Sequence, residues 1–325
     1  MNESKTKPKK IYVAGHRGLV GSALLRRLEA GGNEVLVRAH SELDLVDRDA
    51  VWEFFERERP EAVYLAAAKV GGILANRDFG GDFIRENLSI QLNVLESARL
   101  SGVKRLLFLG SSCIYPRDCP QPIREEYFLT GLLEPTNRPY AIAKISGIEM
   151  CGAYNRQYGT SFLAVMPTNL FGPGDNYHKQ NSHVLPALIR KFHEAKVANA
   201  GTVEAWGTGT PRREFLYSDD LADACVRLMS LPDDQFSLLV GLDQPLINVG
   251  AGKDLSIAEL TDIVKEVVGF KGEIIWNTQM PDGTPRKLLD VSRLSALGWA
   301  AETPLRDGIR RSYEDFCRSL PLIDG

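Results

Sequence analysis

The sequence has no long apolar run, few cysteines and little net charge. No apolar stretch reaches the roughly 18 residues that a membrane-spanning helix needs, and residues 1–10 lack the apolar region of a secretory signal. The five cysteines form neither a disulfide framework nor a CxxC metal-binding pattern. A formal charge of −3 disfavours nucleic acid as the main partner. We therefore expect a cytoplasmic protein that binds no membrane, no nucleic acid and no metal ion.

The composition is instead that of a globular enzyme. Hydrophobic residues make up 44% of the 325 positions, enough for a sizeable core, and the length fits about two domains. Short apolar strands alternate with longer helical segments as far as Pro167. This alternation predicts an α/β fold, a Rossmann-type doubly wound parallel sheet followed by a smaller mixed α/β C-terminal substrate lobe. We place the Rossmann domain at 1–175 and the lobe at 176–325, with 240–262 rejoining the first domain.

Beyond the first domain the alternation weakens. A helix is predicted over 185–195, followed by irregular glycine- and proline-rich connections up to Arg213. A late strand is predicted at 246–249, and Ser256 is placed to cap a helix over 257–268.

A glycine-rich turn directly follows the first predicted strand and opens the first helix. It contains Gly15, Gly18 and Gly21, and such glycines let a dinucleotide pyrophosphate approach the backbone at a helix N-terminus. A tight turn that serves packing alone is the structural alternative. The strand–turn–helix context at the start of the alternation favours dinucleotide binding.

The end of the second strand indicates which dinucleotide is bound. An NAD site normally carries Asp or Glu there, which accepts hydrogen bonds from the ribose 2′-hydroxyl. Arg38 takes that place, and Arg17 lies within the glycine turn. Two guanidinium groups suit a 2′-phosphate, so NADP(H) is favoured, unless Arg38 is only a surface charge. Asp44 either faces the adenine or caps the following helix.

Tyr140 and Lys144 form a candidate acid–base pair. They stand at positions i and i+4 of a predicted helix and therefore share one face. A phenol with its ordinary pKa of about 10 is a poor proton donor and acceptor at neutral pH, and a nearby ammonium is expected to lower that pKa. Ser111 follows a buried strand, at the sheet edge where ligands bind, and is placed to hydrogen-bond the substrate oxygen that Tyr140 protonates.

This combination resembles the extended branch of the short-chain dehydrogenase/reductase superfamily. Four segments narrow the resemblance to the GDP-L-fucose synthase family within that branch: 66–73, 110–116, 135–144 and 166–170. The resemblance runs from about residue 11 to residue 316. It implies an NADPH-dependent enzyme that epimerises GDP-4-keto-6-deoxy-D-mannose at C3 and C5 and reduces its 4-keto group, which gives GDP-L-fucose.

The resemblance also implies where the cofactor is held. The expected contacts lie in the glycine turn, at the ends of the second, fourth and fifth strands, on the helix that follows Tyr140 and at His183. They are Gly15, His16, Arg17, Gly18, Leu19, Val20, Gly21, Arg38, Leu109, Gly110, Ser111, Ser112, Lys144, Pro167, Thr168, Asn169, Leu170 and His183.

Cys113 and His183 are the candidates for the epimerisation. Related dehydratases carry an acidic pair beside the strand-end serine, whereas this chain has Ser112 and Cys113 there, so we expect a reaction other than dehydration. A ketone at C4 acidifies C3 and C5, and inversion needs a base on one face and a proton donor on the other. The resemblance favours the Cys113 thiolate as base and His183 as donor. From the residues alone, a buried structural cysteine and a helix-capping histidine are the simpler interpretations.

The C-terminal lobe carries the candidate substrate contacts. Segment 206–215 combines an aromatic residue, glycine turns and paired arginines, which suits a nucleoside diphosphate. A solvated arginine pair and a turn aspartate are the structural alternatives. The resemblance places four residues against the GDP-sugar, namely Lys191, Trp206, Arg213 and Asp282.

Two other functions are compatible with these motifs. A simple 4-epimerase of the same superfamily would return its cofactor unchanged. A non-catalytic NADP-sensing module would not need Tyr140 and Lys144 in register with Ser111, so their joint presence disfavours it. The apolar helices at 83–101 and after Tyr140 are expected to form a homodimer interface, as in relatives, unless they face the core.

Overall fold

A computed structural model describes residues 9–179, 182–280 and 282–323. The start of the first predicted domain, at 1–8, and the end of the second, at 324–325, lie outside the described residues. The strands are β1 (Lys10–Ala14), β2 (Glu34–Leu36), β3 (Ala62–Leu65), β4 (Arg105–Leu109), β5 (Phe162–Pro167), β6 (Asn169–Phe171), β7 (Thr202–Trp206), β8 (Arg212–Tyr217), β9 (Leu246–Val249), β10 (Asp254–Ser256), β11 (Glu273–Asn277) and β12 (Arg286–Lys287).

The helices are α1 (Leu19–Ala30), α2 (Arg48–Glu58), α3 (Ile73–Asp78), α4 (Gly80–Leu100), α5 (Arg138–Tyr158), α6 (Val184–Val197), α7 (Ser218–Met229), α8 (Asp233–Val240), α9 (Ile257–Val268), α10 (Ser292–Ala296) and α11 (Leu305–Ile323). None of the described helices has both the length and the apolar character needed to span a bilayer.

The main sheet confirms the predicted doubly wound fold. Its six strands lie in the order β2-β1-β3-β4-β5-β9, and every neighbouring pair is parallel. The late strand predicted at 246–249 is present as β9, which pairs with β5. The strand order reverses between β1 and β3, and sheets of this kind bind ligands in the crevice outside the carboxyl ends of their strands at such a point.

Both faces of this sheet are covered, because successive strand residues point to opposite sides. Tyr12 packs into a core with residues of α2, α4 and α5, whereas its neighbour Val13 packs into a second core with α1, α7 and α8. Each fully buried large apolar side chain contributes about 1.5–3 kcal/mol. The covering helices therefore hold the sheet as a rigid base whose strand ends stay fixed.

A smaller four-stranded sheet is built around β8. This strand is antiparallel to β10 and parallel to β12 and β6, while β7 and β11 form a separate parallel pair. Helices α6, α9 and α11 cover these strands through a third core that includes Phe192, Val264 and Phe316. The prediction of irregular connections up to Arg213 is wrong, because β7 and the start of β8 lie in that segment.

Candidate active site

The glycine turn between β1 and α1 has the shape of an anion-binding cradle. Gly15 has φ +86, and a Cβ there would lie 2.7 Å from the backbone nitrogen of Ala67. A Cβ on Gly21 would lie 2.0 Å from the carbonyl oxygen of Gly15, so only glycine allows this close packing. Gly18 occupies the N-cap of α1 without a side-chain cap, which leaves the first helical N–H groups available to an anion. The turn therefore fits a dinucleotide pyrophosphate.

The other predicted cofactor residues lie mostly along the same sheet edge. His16 and Arg17 lie in the turn, and Leu19 and Val20 begin α1; Leu109, Gly110, Ser111 and Ser112 lie at the end of β4, and Pro167, Thr168, Asn169 and Leu170 at the end of β5. Parallel pairing of β4 with β5 brings the last two groups side by side. Within the described part of the chain, the buried Nδ1 of His16 has no hydrogen-bond partner, and burial lowers the pKa of this ring. A bound dinucleotide would supply the missing polar partner.

Arg38 is a fixed, partly buried group at the end of β2. Its guanidinium donates to the carbonyl oxygen of Val37 at 2.7 Å and to the Glu58 carboxylate at 2.8 Å. It also lies 5.2 Å from the centre of the Phe54 ring. These three contacts hold the guanidinium at the strand end where an NAD-binding carboxylate would otherwise stand.

The capping interpretation of Asp44 is wrong. Its carboxylate accepts from the backbone nitrogen of Val46 at 2.9 Å, in the loop before α2. The N-cap of α2 is Asp47, whose carboxylate accepts from the backbone nitrogens of Asp49 and Ala50, each at 3.1 Å. Three closely spaced aspartates follow the second strand, and spacing alone does not show which one caps the helix.

Ser111, Tyr140 and Lys144 meet at the carboxyl end of β4. The Lys144 ammonium is buried and donates to the carbonyl oxygen of Leu109 at 2.7 Å. Its nitrogen lies 5.8 Å from the centre of the Tyr140 ring, and the Tyr140 hydroxyl is hydrogen-bonded to Ser111. Burial lowers the pKa of Lys144 to about 8. The structure thus brings the three predicted catalytic side chains together.

The expected lowering of the Tyr140 pKa is wrong for the free protein. Burial raises the pKa of this phenol above its ordinary value, and the hydrogen bond from Ser111 offsets only part of that effect. The ammonium of Lys144 is engaged by the Leu109 carbonyl rather than by the phenol oxygen. Tyr140 therefore keeps its proton at neutral pH, which is the state that a proton donor needs.

Cys113 lies in the same cluster, on the short 3-10 turn Ser112–Ile114. Its side chain is buried, and burial raises the pKa of the thiol. The ammonium groups of Lys287 and Lys144 and the Ser111 hydroxyl act in the opposite direction. Burial outweighs these groups, so Cys113 keeps its proton in the free protein, and the two ammonium groups are the neighbours that stabilise a thiolate when it forms.

Lys287 is the residue of this cluster that the sequence did not reveal. Strand β12 carries it, and β12 contains only two residues, too few to show a periodicity. Its register with β8 pairs Lys287 with Arg213, and its ammonium charge acts on both the Cys113 thiol and the Arg213 guanidinium. Long-range contacts rather than local sequence therefore bring Lys287 near the thiol.

His183 occupies the N-cap position of α6, but its side chain caps nothing. The helix-capping interpretation is therefore wrong for the imidazole. The residue is exposed, and the surrounding protein lowers the pKa of the ring by disfavouring its charged form. The described contacts of this ring do not join it to Cys113, so its role as the second proton carrier stays a prediction.

The four predicted substrate residues lie near one another around the ends of two strands of the smaller sheets. The Lys191 ammonium lies 4.8 Å from the centre of the Trp206 ring. The Asp282 carboxylate accepts from the backbone nitrogen of Thr208 at 2.9 Å and from its hydroxyl at 2.7 Å. Asp282 also stabilises the charge of Arg213, whose pKa burial lowers. The structure brings these residues together at one end of β7 and β8.

The arginine pair is divided between two environments. Arg212 donates to the Asp254 carboxylate at 2.9 Å, in an ion pair near the surface. The Arg213 guanidinium instead lies beside Gly283, near Asp282, and its charge also acts on Lys287. Because alternate strand residues face opposite sides, only Arg213 points towards the candidate site. The interpretation as a solvated pair is therefore wrong for Arg213, and Arg212 is held in an ion pair with Asp254.

Comparison with known proteins agrees with this geometry. The GDP-L-fucose synthase 1 of Arabidopsis thaliana is 55% identical over 315 residues, which cover 97% of this chain and 95% of that protein. The GDP-L-fucose synthase of Escherichia coli K12 is 52% identical over 320 residues, which cover 97% of this chain and 99% of that protein.

Solved structures of related enzymes have the same fold. A GDP-D-glycero-L-gluco-heptose synthase from Campylobacter jejuni, solved in the presence of NADPH, is 39% identical with a TM-score of 0.89, covering 95% of this chain and 98% of that one. An NADP-bound GDP-L-fucose synthetase from Naegleria fowleri is 27% identical with a TM-score of 0.85, covering 97% and 96%. The sequence model of the NAD dependent epimerase/dehydratase family matches residues 11–241. The chain belongs to that family.

Proposed function

We propose that this enzyme converts GDP-4-keto-6-deoxy-D-mannose to GDP-L-fucose by 3,5-epimerisation followed by NADPH-dependent reduction of the 4-keto group. The observation that carries the proposal is the cluster at the end of β4, where the Cys113 thiol lies beside Ser111, Tyr140 and Lys144 and the Lys287 ammonium is a second nearby cation. Relatives that bear this activity in their names share more than half of their residues with the chain, which supports the same assignment.

The epimerisation uses residues on both sides of the hexose. The Cys113 thiolate removes the proton from a carbon beside the ketone, and the electron pair moves to the ketone oxygen. Ser111 and Tyr140 donate hydrogen bonds to the enolate oxygen that forms. His183 then gives a proton to the opposite face of the carbon, and the electron pair returns from the oxygen. Cys113 then loses the captured proton to water and His183 takes one up from water, so the same sequence at the second carbon completes the inversion.

The reduction uses the same serine and tyrosine. Bound NADPH supplies the hydride to C4. Tyr140 gives its phenolic proton to the alkoxide oxygen, while Ser111 holds that oxygen in place. The ammonium of Lys144, fixed by the Leu109 carbonyl, stabilises the phenolate that remains. The raised pKa of Tyr140 in the free protein keeps the proton available until this step.

Cofactor consumption distinguishes this function from its alternatives. With purified protein, keto-sugar nucleotide and NADPH, we expect loss of NADPH absorbance in equal amount to the 4-hydroxy product. A simple 4-epimerase would convert the sugar without net NADPH oxidation. An NADP-sensing module would bind NADPH tightly and turn over no keto-sugar nucleotide. Either of these results would overturn the proposal.

We propose that Arg38 selects the phosphorylated cofactor. Replacing Arg38 with alanine should raise the KM for NADPH about 10–100-fold and leave that for NADH nearly unchanged, because only the 2′-phosphate loses a charge-assisted hydrogen bond. Steady-state kinetics with both cofactors measure this ratio. Arg57→Ala is the matched control, since Arg57 is exposed and also contacts Glu58, at 3.3 Å. An equal loss with NADH and NADPH would show that Arg38 does not read the phosphate.

We also infer that the chain forms a homodimer through α4 and α5. These helices pack against each other, and their outer surface exposes Leu92, Leu100 and Ile142. Sedimentation equilibrium should give twice the chain mass of 36.0 kDa, and Leu92→Glu should shift the protein towards the monomer because it places a charge in an apolar contact. A monomeric mass for the unmodified chain would contradict the inference.

A further inference from the structure

Glu214 is a completely buried carboxylate to which the proposed reaction gives no role. It follows Arg213 on β8, and its relative exposure is 0%. One carboxylate oxygen accepts from the backbone nitrogen of Gly252 at 2.7 Å, and the other accepts from the backbone nitrogen of Leu289 at 3.0 Å. No lysine or arginine pairs with it in the described part of the chain. Burying a carboxylate without a counter-ion costs several kcal/mol, so a local benefit has to offset this cost.

The contacts of Glu214 join three strand ends that surround the site. Gly252 follows β9 of the main sheet, and Leu289 follows β12. The backbone carbonyl of Glu214 also accepts from the side chains of Asn169 at 2.8 Å and Thr168 at 3.3 Å, at the end of β5. A single residue of the lobe thus fixes two strand ends of the Rossmann sheet and the segment after β12.

The segment after β12 is the one that sets the position of Lys287. On one side, the backbone nitrogen of Leu289 binds the Glu214 carboxylate. On the other side, Leu288 donates to the side-chain oxygen of Gln121 at 2.9 Å and accepts from the backbone nitrogen of Ile123 at 2.7 Å. Lys287 is therefore held between β8 and the loop that follows Cys113.

We propose that Glu214 is a positioning residue that holds the Lys287 ammonium beside the Cys113 thiol. This inference rests on the proposed function, because it concerns the base of the epimerisation. The charged and titratable groups that face Cys113 are Lys287 of β12 and both Lys144 and Tyr140 of α5. Glu214 touches none of them directly and acts through the backbone of Leu289.

The test is the pH dependence of Cys113 alkylation in the free protein. Iodoacetamide reacts with the thiolate, and the labelling rate of the Cys113 peptide is measured by mass spectrometry across a pH series. The pH at which this rate reaches half of its plateau reports how readily the thiol ionises, because burial of the thiol scales the rate at every pH alike. Glu214→Gln keeps the size of the side chain but leaves one acceptor oxygen for the N–H groups of Gly252 and Leu289, so the two compete for it and the hold on Leu289 weakens. We expect the alkylation midpoint of Cys113 to rise by about one pH unit in this variant.

A double-variant comparison shows whether the effect passes through Lys287. Lys287→Met should raise the midpoint by at least as much, and Glu214→Gln should add nothing further in the Lys287→Met background. Asp254→Asn is the matched control, because Asp254 faces Glu214 across β10 and β8 but bonds the side chains of Arg212 and Arg286. This control should leave the labelling midpoint of Cys113 unchanged. The exposed Cys317 is an internal reference, and its own labelling midpoint should be the same in every variant.

Two results would overturn the proposal. One is an unchanged Cys113 midpoint in folded Glu214→Gln, and the other is a full additional shift in the Lys287→Met background. If Glu214→Gln does not fold, Glu214→Asp replaces it, because the shorter carboxylate reaches only one of the two nitrogens and should give a smaller rise. The labelling needs neither substrate nor NADPH. A protein that shows these shifts of the Cys113 midpoint but converts no keto-sugar nucleotide would contradict only the proposed function.

Discussion

Replacing Cys113 with serine is expected to slow hydrogen exchange at C3 and C5 of the keto sugar by about 10²–10⁴-fold. An alcohol stays protonated at neutral pH, so the variant has no base at that position, while the shape of the side chain is nearly kept. Exchange is followed by NMR in deuterated water with oxidised NADP present, which prevents reduction. The dissociation constant for NADPH should stay unchanged, because the glycine turn and Arg38 are not altered.

Cys119→Ser provides the matched control for this prediction. Cys119 lies on the same loop and is partly buried, and the charge of Lys287 acts on its thiol as well. Unlike Cys113, it has no interaction with Ser111 among the described residues. Its replacement should leave exchange within about twofold of the unmodified rate. If Cys113→Ser exchanged at the normal rate, Cys113 would not be the base, and the thiol would be a structural residue.

Replacing Tyr140 with phenylalanine is expected to slow NADPH oxidation by about 10²–10⁴-fold, since the alkoxide at C4 then has no positioned proton donor. Exchange at C3 and C5 should fall less, because Ser111 still donates to the enolate oxygen. The two rates are measured on the same preparation. Tyr158→Phe, on the exposed side of α5, is the control and should change neither. Equal losses of both rates in Tyr140→Phe would contradict separate roles for Tyr140 and Ser111.

The same proton transfer has a defined pH dependence. Burial lowers the pKa of Lys144 to about 8, so the ammonium that supports the phenolate is lost as the pH rises through this value. The value of kcat/KM for reduction should therefore fall above about pH 8, since this ratio reports groups of the free enzyme. Lys144→Met should be slow at every pH and lack this alkaline decline. An unmodified enzyme without the decline would exclude Lys144 as the supporting charge.

Local sequence signals predicted most of the first domain. The helix α1 begins directly after the glycine turn, as predicted, and it ends where Gly31 and Gly32 follow. The predicted cap of α9 is also confirmed, since Ser256 and Glu259 form a reciprocal capping box. Helix α7 was not predicted. Its buried residues Leu221, Cys225 and Leu228 recur at helical spacing and lie on the side that packs against α1, so the signal was present in the sequence.

The candidate site divides in the same way between local and long-range information. Tyr140, Lys144 and Ser111 were found from helical spacing and a strand end, which are features of neighbouring residues. Lys287 and Glu214 act only through the pairing of β8 with β12 and the contacts at strand ends, which local sequence does not show. The predicted lowering of the Tyr140 pKa was wrong for a related reason. Burial raises this pKa, and the burial of a side chain depends on the whole fold.

The most direct test of the central claim, that one site both inverts two carbons and reduces a third, is a single incubation in deuterated water. The protein is mixed with GDP-4-keto-6-deoxy-D-mannose and NADPH, and the product is examined by NMR and mass spectrometry. We predict a GDP-6-deoxyhexose with deuterium at both C3 and C5, formed in equal amount to the NADPH oxidised. Product that carries no deuterium at these carbons, or that forms without NADPH oxidation, would contradict the account.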